Sequence, residues 1–157
     1  WPEADHQLCV FHAIKDINGL ILDAVRRIRT ATNRRGKAGR KKKRGRKGAK
    51  SKAAAARRGM TLKEKAHFVF KRRYLIVKRR ENLTELEQND LKQMLEYLPE
   101  LATLRRFADR IYGLFDTPKD YHQASCRRAA LLRDPAFQAV PELVKAIEQL
   151  NEEKFPS

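Results

Sequence analysis

The sequence predicts a mainly α-helical chain with one short N-terminal strand, a solvated basic tract and a bundle of about five helices. Three observations carry this. Apolar residues recur every three or four positions over most of the chain, only one run has the make-up of a strand, and one stretch holds many charges and almost no large apolar side chain.

The strand is read at His6 to Phe11, where Leu8, Cys9, Val10 and Phe11 form a continuous apolar run of the kind a parallel sheet covers on both faces. No second strand is legible, so its partners are expected in missing sequence or in another copy. The chain also begins at Trp1 and not at Met, and on both grounds it reads as a fragment. Phe11, Ile14, Ile17, Ile21, Val25 and Ile28 then place an apolar stripe on a helix from about His12 to Arg29. Arg26, Arg27 and Arg29 suit the negative end of its dipole.

Between Asp23 and Glu64 there is no acidic residue, and fourteen of the 36 Lys and Arg fall between Arg34 and Arg58. They are Arg34, Arg35, Lys37, Arg40, Lys41, Lys42, Lys43, Arg44, Arg46, Lys47, Lys50, Lys52, Arg57 and Arg58. Without them the net charge of +17 falls to +3. Like charges repel and the glycines among them disfavour a helix, so the tract is expected to be disordered.

Past the tract, Thr61-Leu62-Lys63-Glu64 has the capping-box pattern and opens a helix expected to reach about Arg80, with Leu62, Ala66, Val69, Phe70, Tyr74 and Val77 on one face. A second box, Thr84 to Glu87, opens a helix lined by Leu91, Met94, Leu95 and Leu98. Pro99 and Pro118 each suit the first turn of a further helix, and a last one starts near Pro135 and carries Phe137, Val140, Val144, Ile147 and Leu150. The division is therefore 1–31, a strand and helix; 32–59, the basic tract; and 60–157, a helical bundle of roughly 98 residues, enough for its own core.

A pI near 10.3 calls for an acidic partner. The tract is a poor amphipathic helix and no apolar run has the length of a membrane span, which favours nucleic acid over a membrane. Its binding is expected to work by phosphate contact and counterion release and not by base reading. Arg72, Arg73, Lys78, Arg79, Arg80, Arg105, Arg106, Arg127 and Arg128 are placed to extend that footprint across the bundle.

Two cysteines far apart, Cys9 and Cys126, make no disulfide framework. Cys9 and His12, with His6 and the His122/Cys126 pair, have zinc-type spacing on paper, but buried Cys and backbone-bonded His are the commoner arrangement and no metal site is assigned. The acid pairs Glu3/Asp5, Glu85/Glu87 and Glu152/Glu153 read as solvated or dipole-compensating, and no catalytic residue is assigned. A phosphate-cradling loop and a serine nucleophile elbow are both missing.

His6 to His12, followed by the Ile14 to Ile28 helix, resembles the insertion-sequence transposases of bacteria with a DDE catalytic domain. Several such families carry a C-x-x-H signature after their second catalytic Asp, matched here by Cys9 and His12, and then a helical insertion before the catalytic Glu. The helices from Thr61 to Asn151, including Tyr97-Leu98-Pro99-Glu100-Leu101 and Arg127 to Leu132, look like that insertion. The resemblance implies that residues 1–31 come from a truncated ribonuclease-H-like α/β domain. In that family two Asp and one Glu hold a divalent metal, usually Mg²⁺, which activates water or a DNA 3′-hydroxyl for attack on a phosphodiester. Here it implies that the first two acids belong upstream of Trp1 and the Glu beyond Ser157, so Cys9 and His12 carry over only as a structural signature.

The expected protein is thus part of a transposase, cytoplasmic and nucleoid-associated in a bacterium, without a cofactor of its own and inactive alone. Its expected partners are DNA (transposon ends or target) and the remainder of the transposase, with a second copy as the candidate for a homo-oligomer and no membrane. The alternative class is a stand-alone, non-enzymatic nucleic-acid-binding helical protein.

Overall fold

The computed structural model describes residues 2–38, 59–116 and 121–150. Helix α1 spans Pro2–Ala38. It buries Ile17, Ile21, Ala24, Val25, Ile28 and Thr32, spaced three or four apart as one face of a helix requires. The chain returns as α2, Leu62–Lys71, capped by Thr61, whose hydroxyl accepts from Glu64 N–H while the Glu64 carboxylate accepts from Thr61 N–H at 2.6 Å. Two 3-10 turns follow, Arg73–Ile76 and Arg80–Asn82. Helix α3, Glu85–Tyr97, opens on the second capping box and buries Leu91 and Met94. Helix α4, Leu101–Asp116, buries Leu101, Leu104, Phe107, Ala108 and Ile111. Helices α5, Tyr121–Arg133, α6, Pro135–Gln138, and α7, Pro141–Glu148, complete the described fold.

One core joins these elements. Residues Ile17 to Ile28 of α1 share it with Val69, Met94, Leu104, Phe107, Phe137, Leu143 and Ile147. Burying a large aliphatic side chain contributes about 1.5–3 kcal/mol, so the α1 stripe binds that helix firmly to α2, α4 and α7. Phe107 and Phe137 meet edge to face at 5.1 Å between centroids. Arg27 clasps Glu142 on α7 through two hydrogen bonds of 2.7 and 3.0 Å. Asn18 donates to the Tyr112 hydroxyl at 3.0 Å, and that hydroxyl donates to the Val77 carbonyl.

Four sequence expectations change. His6 to Phe11 is helix and not strand, and there is no strand among the described residues, so nothing in them supplies the sheet of a ribonuclease-H-like domain. The reason is the backbone: a lone strand leaves its N–H and C=O groups unpaired, whereas continuing α1 pairs them within the helix. At its other end α1 reaches Ala38, so residues 32–38 of the tract expected to be disordered are helical. Packing explains this extension, because Thr32 is buried with its hydroxyl donating to the Ile28 carbonyl at 2.9 Å and Gly36 lies close to Leu62. The rest of the tract, 39–58, lies outside the described residues.

The third change is that α2 stops at Lys71 instead of continuing to Arg80. The chain tightens there into 3-10 turns that bury Leu75 and Ile76 and whose carbonyls are taken up by the Arg105 guanidinium in place of a helical ladder. Fourth, the single last helix divides at Pro141, which lacks the N–H that a continuous helix needs and starts α7 at its first turn. The described bundle after residue 59 therefore holds six α-helices where about five were expected.

Candidate nucleic-acid interface

The folded cations divide by what faces them. Most of the arginines expected to extend a phosphate footprint are held by acids of the fold. Arg72 meets Asp90 at 2.6 Å, Lys78 meets Glu87 at 2.7 Å, and Arg79 pairs with Asp116. Arg80 reaches Asp109 at 2.6 Å, and Arg106 and Arg110 converge on Asp134 at 3.6 and 3.3 Å. The hydrogen bonds that Arg80 donates to Asp109 raise the arginine's pKa above its ordinary value, and the bond from the Lys78 ammonium holds the Glu87 carboxyl below its own. Arg127 donates to the Gly113 carbonyl at 2.7 Å and Arg128 to the Leu150 carbonyl at 3.4 Å.

Arg105 is the extreme case, 2% exposed. Its guanidinium donates to the carbonyls of Leu75, Ile76 and Lys78 at 2.9, 3.2 and 2.6 Å, groups that the 3-10 turns leave outside any helical ladder. Asp109 lies 2.8 Å away as its counter-charge, and burial lowers the Arg105 pKa. This arginine builds the fold and is closed to a ligand.

Along the seam between α1 and α2 the pattern differs. The Arg29 guanidinium lies 3.8 Å from the Phe70 ring centroid, and Arg73 lies 4.4 Å from the same ring and 4.4 Å from that of Tyr74. Arg73 also donates to the Phe70 carbonyl and the Tyr74 hydroxyl, each at 3.0 Å. Neither arginine meets a carboxylate among the described residues, and the Nε of each is buried without a hydrogen-bond partner. Further along, a cleft of about 440 Å³ is lined by Asn33, Arg35, Gly36, Lys37, Thr61, Leu62 and Lys63.

Of the fourteen tract cations predicted to meet DNA, Arg34, Arg35 and Lys37 stand exposed on the last turns of α1. Arg35 reaches Glu100 at 3.3 Å. The other eleven, Arg40 to Arg58, lie outside the described residues. Lys63, which sequence reading did not single out, is brought to the same cleft as Arg35 and Lys37 by the return of α2 along α1.

Cys9 and His12 sit three residues apart within α1 and not at a strand-to-helix junction, and the exposed His12 ring packs edge-on to Phe11 at 6.0 Å. The Cys126 sulfur lies 3.9 Å from both ring nitrogens of His122. No group of three or more His, Cys, Asp or Glu that could hold a metal ion exists among the described residues.

Compared with known proteins, residues 1–154 match the family model of the ISL3-type DDE transposases, described as transposase. The chain belongs to this transposase family. No curated protein and no solved structure matches it. The match covers nearly the whole transposase chain, the long α1, the basic stretch and the bundle together. None of its described helices is long and apolar enough to cross a membrane.

Proposed function

We propose that this transposase chain is a DNA-holding part of an insertion-sequence transposase. In this reading residues 32–59 grip the phosphates of transposon-end or target DNA. Residues 60–157 form the helical insertion that presents them, and 1–31 join the two to the catalytic domain. Strand cleavage and transfer, with Mg²⁺, belong to acids of the parent protein outside this chain, in the bacterial cytoplasm at the nucleoid. The remainder of the transposase is the protein partner, with a second copy as the candidate for a homo-oligomer.

The observation that carries the reading is the use of the fold's charges. The bundle's carboxylates Glu87, Asp90, Asp109, Asp116 and Asp134 each engage a Lys or Arg of the bundle, while Arg26, Arg27 and Arg35, between Asp23 and Glu64, meet a carboxylate and the sequence there leaves a surplus of cations. Carboxylates committed to structural pairs are poor metal ligands, and an uncompensated cationic run is a polyanion site.

A salt titration of the purified chain against labelled duplex DNA tests this. With six to ten phosphates engaged, affinity is expected to fall by about three to five decades between 50 and 200 mM salt. Absence of binding at low salt, or an affinity indifferent to salt, would refute the proposal.

A further inference from the structure

Six arginines of the described fold, Arg72, Arg79, Arg80, Arg105, Arg106 and Arg110, are answered by carboxylates. Arg29 and Arg73 are answered by an aromatic ring instead. A ring fixes a guanidinium by cation–π attraction and leaves its positive charge uncancelled. Two such groups against Phe70 therefore concentrate charge at one place, with side chains already immobilised. The same seam continues to Lys37 and Lys63 at the cleft. Glu64 turns back to cap Thr61 with bonds of 2.6 and 2.8 Å, and Glu100 reaches Arg35.

We infer that the α1–α2 seam, with Arg29, Arg73, Lys37 and Lys63 as its contacts, is a rigid docking surface for the sugar–phosphate backbone of duplex DNA. The inference rests on the DNA-holding role proposed above and adds a folded, oriented contact to the tract. Arg29 to Lys37 covers eight residues, about 12 Å of helical rise, and a duplex strand presents a phosphate every 3.4 Å of axis, so the seam meets about three phosphates. Fixed spacing suits a duplex, whose phosphates are themselves fixed. The Phe70 ring carries two guanidiniums, so this part of the seam offers cations to the ligand, a backbone contact in preference to base stacking.

The test uses the full chain, a labelled DNA duplex and four variants. Arg29→Gln/Arg73→Gln and Lys37→Gln/Lys63→Gln remove seam cations. Lys92→Gln/Lys145→Gln removes the same charge from exposed positions elsewhere, and Lys41→Gln/Lys42→Gln/Lys43→Gln/Arg44→Gln thins the tract. Each seam variant is expected to lower the slope of log affinity against log salt by about two and to weaken all sequences alike, while the remote pair leaves the slope unchanged. The lysine pair is exposed and decides the matter if the arginine pair fails to fold.

Unchanged slopes in the folded seam variants, with a reduced slope in the tract variant, would overturn the seam and leave the DNA-holding role standing. An equal loss in the remote pair would overturn it too, by reducing the effect to net charge. No binding by the unmodified chain would remove both. Tighter, seam-dependent binding of single-stranded DNA or RNA would overturn the choice of duplex.

Discussion

At the scale of the residue, Arg105 shows how this basic sequence uses a charge internally. Its guanidinium replaces three backbone hydrogen bonds that the 3-10 turns forgo, and Asp109 balances it. Arg105→Met keeps the bulk but strands those carbonyls and leaves Asp109 without its buried partner. The expected loss is about 3–5 kcal/mol in urea denaturation, with Arg105→Lys recovering part of it. A loss under about 1 kcal/mol would show that the turns rebuild their bonding without the guanidinium. Sequence reading put Arg105 among surface phosphate contacts, because nothing in its spacing says that the turn beneath it lacks partners. It also passed over Lys63, whose neighbours are set by chain return and not by any local pattern.

At the scale of the element, the start signals were legible and the stop signals less so. Both capping boxes, Thr61 to Glu64 and Thr84 to Glu87, form as the spacing predicts, since the bonds involved span only three residues. Thr61→Ala and Thr84→Ala are each expected to cost about 1 kcal/mol in thermal or denaturant unfolding, and Thr→Ser much less. Equal costs for Ser and Ala would mean that the hydroxyl bond is not what holds the helix start. The N-terminal run failed as a strand for the opposite reason. Apolar continuity over four residues does not distinguish strand from helix, and the outcome depends on whether a partner strand exists. The end of α2 was hidden because the burial of Leu75 beside Ile76 is a tertiary fact.

At the scale of the whole molecule, α1 is joined to the far end of the chain by Arg27 and Glu142, and this link gives a pH dependence. Partial burial would raise the Glu142 pKa, but the hydrogen bond and charge of Arg27 outweigh it and hold the carboxyl below its ordinary 4.5. A lowered folded-state pKa means that the unfolded chain takes up the proton first. The stability it contributes is therefore present above about pH 4.5 and is lost as the pH falls through the lower folded value. Glu87, lowered chiefly by Lys78, acts in the same direction. Melting temperature is expected to drop below pH 4.5 in the unmodified chain and less steeply in Glu142→Gln; identical acid limbs would exclude the link as a cause. The helical class and the division of charge were readable in advance because both are sums over many residues. The sharing of one core by α1 and the bundle was not, since it joins residues more than a hundred positions apart.

The 37 residues of α1 make a rod of about 55 Å, and among its described side chains the buried ones lie between Ile17 and Thr32. A rigid rod clamped by a core transmits load: a force applied at the Ala38 end is delivered to the buried residues Ile17 to Thr32, and the helix cannot tilt without repacking them.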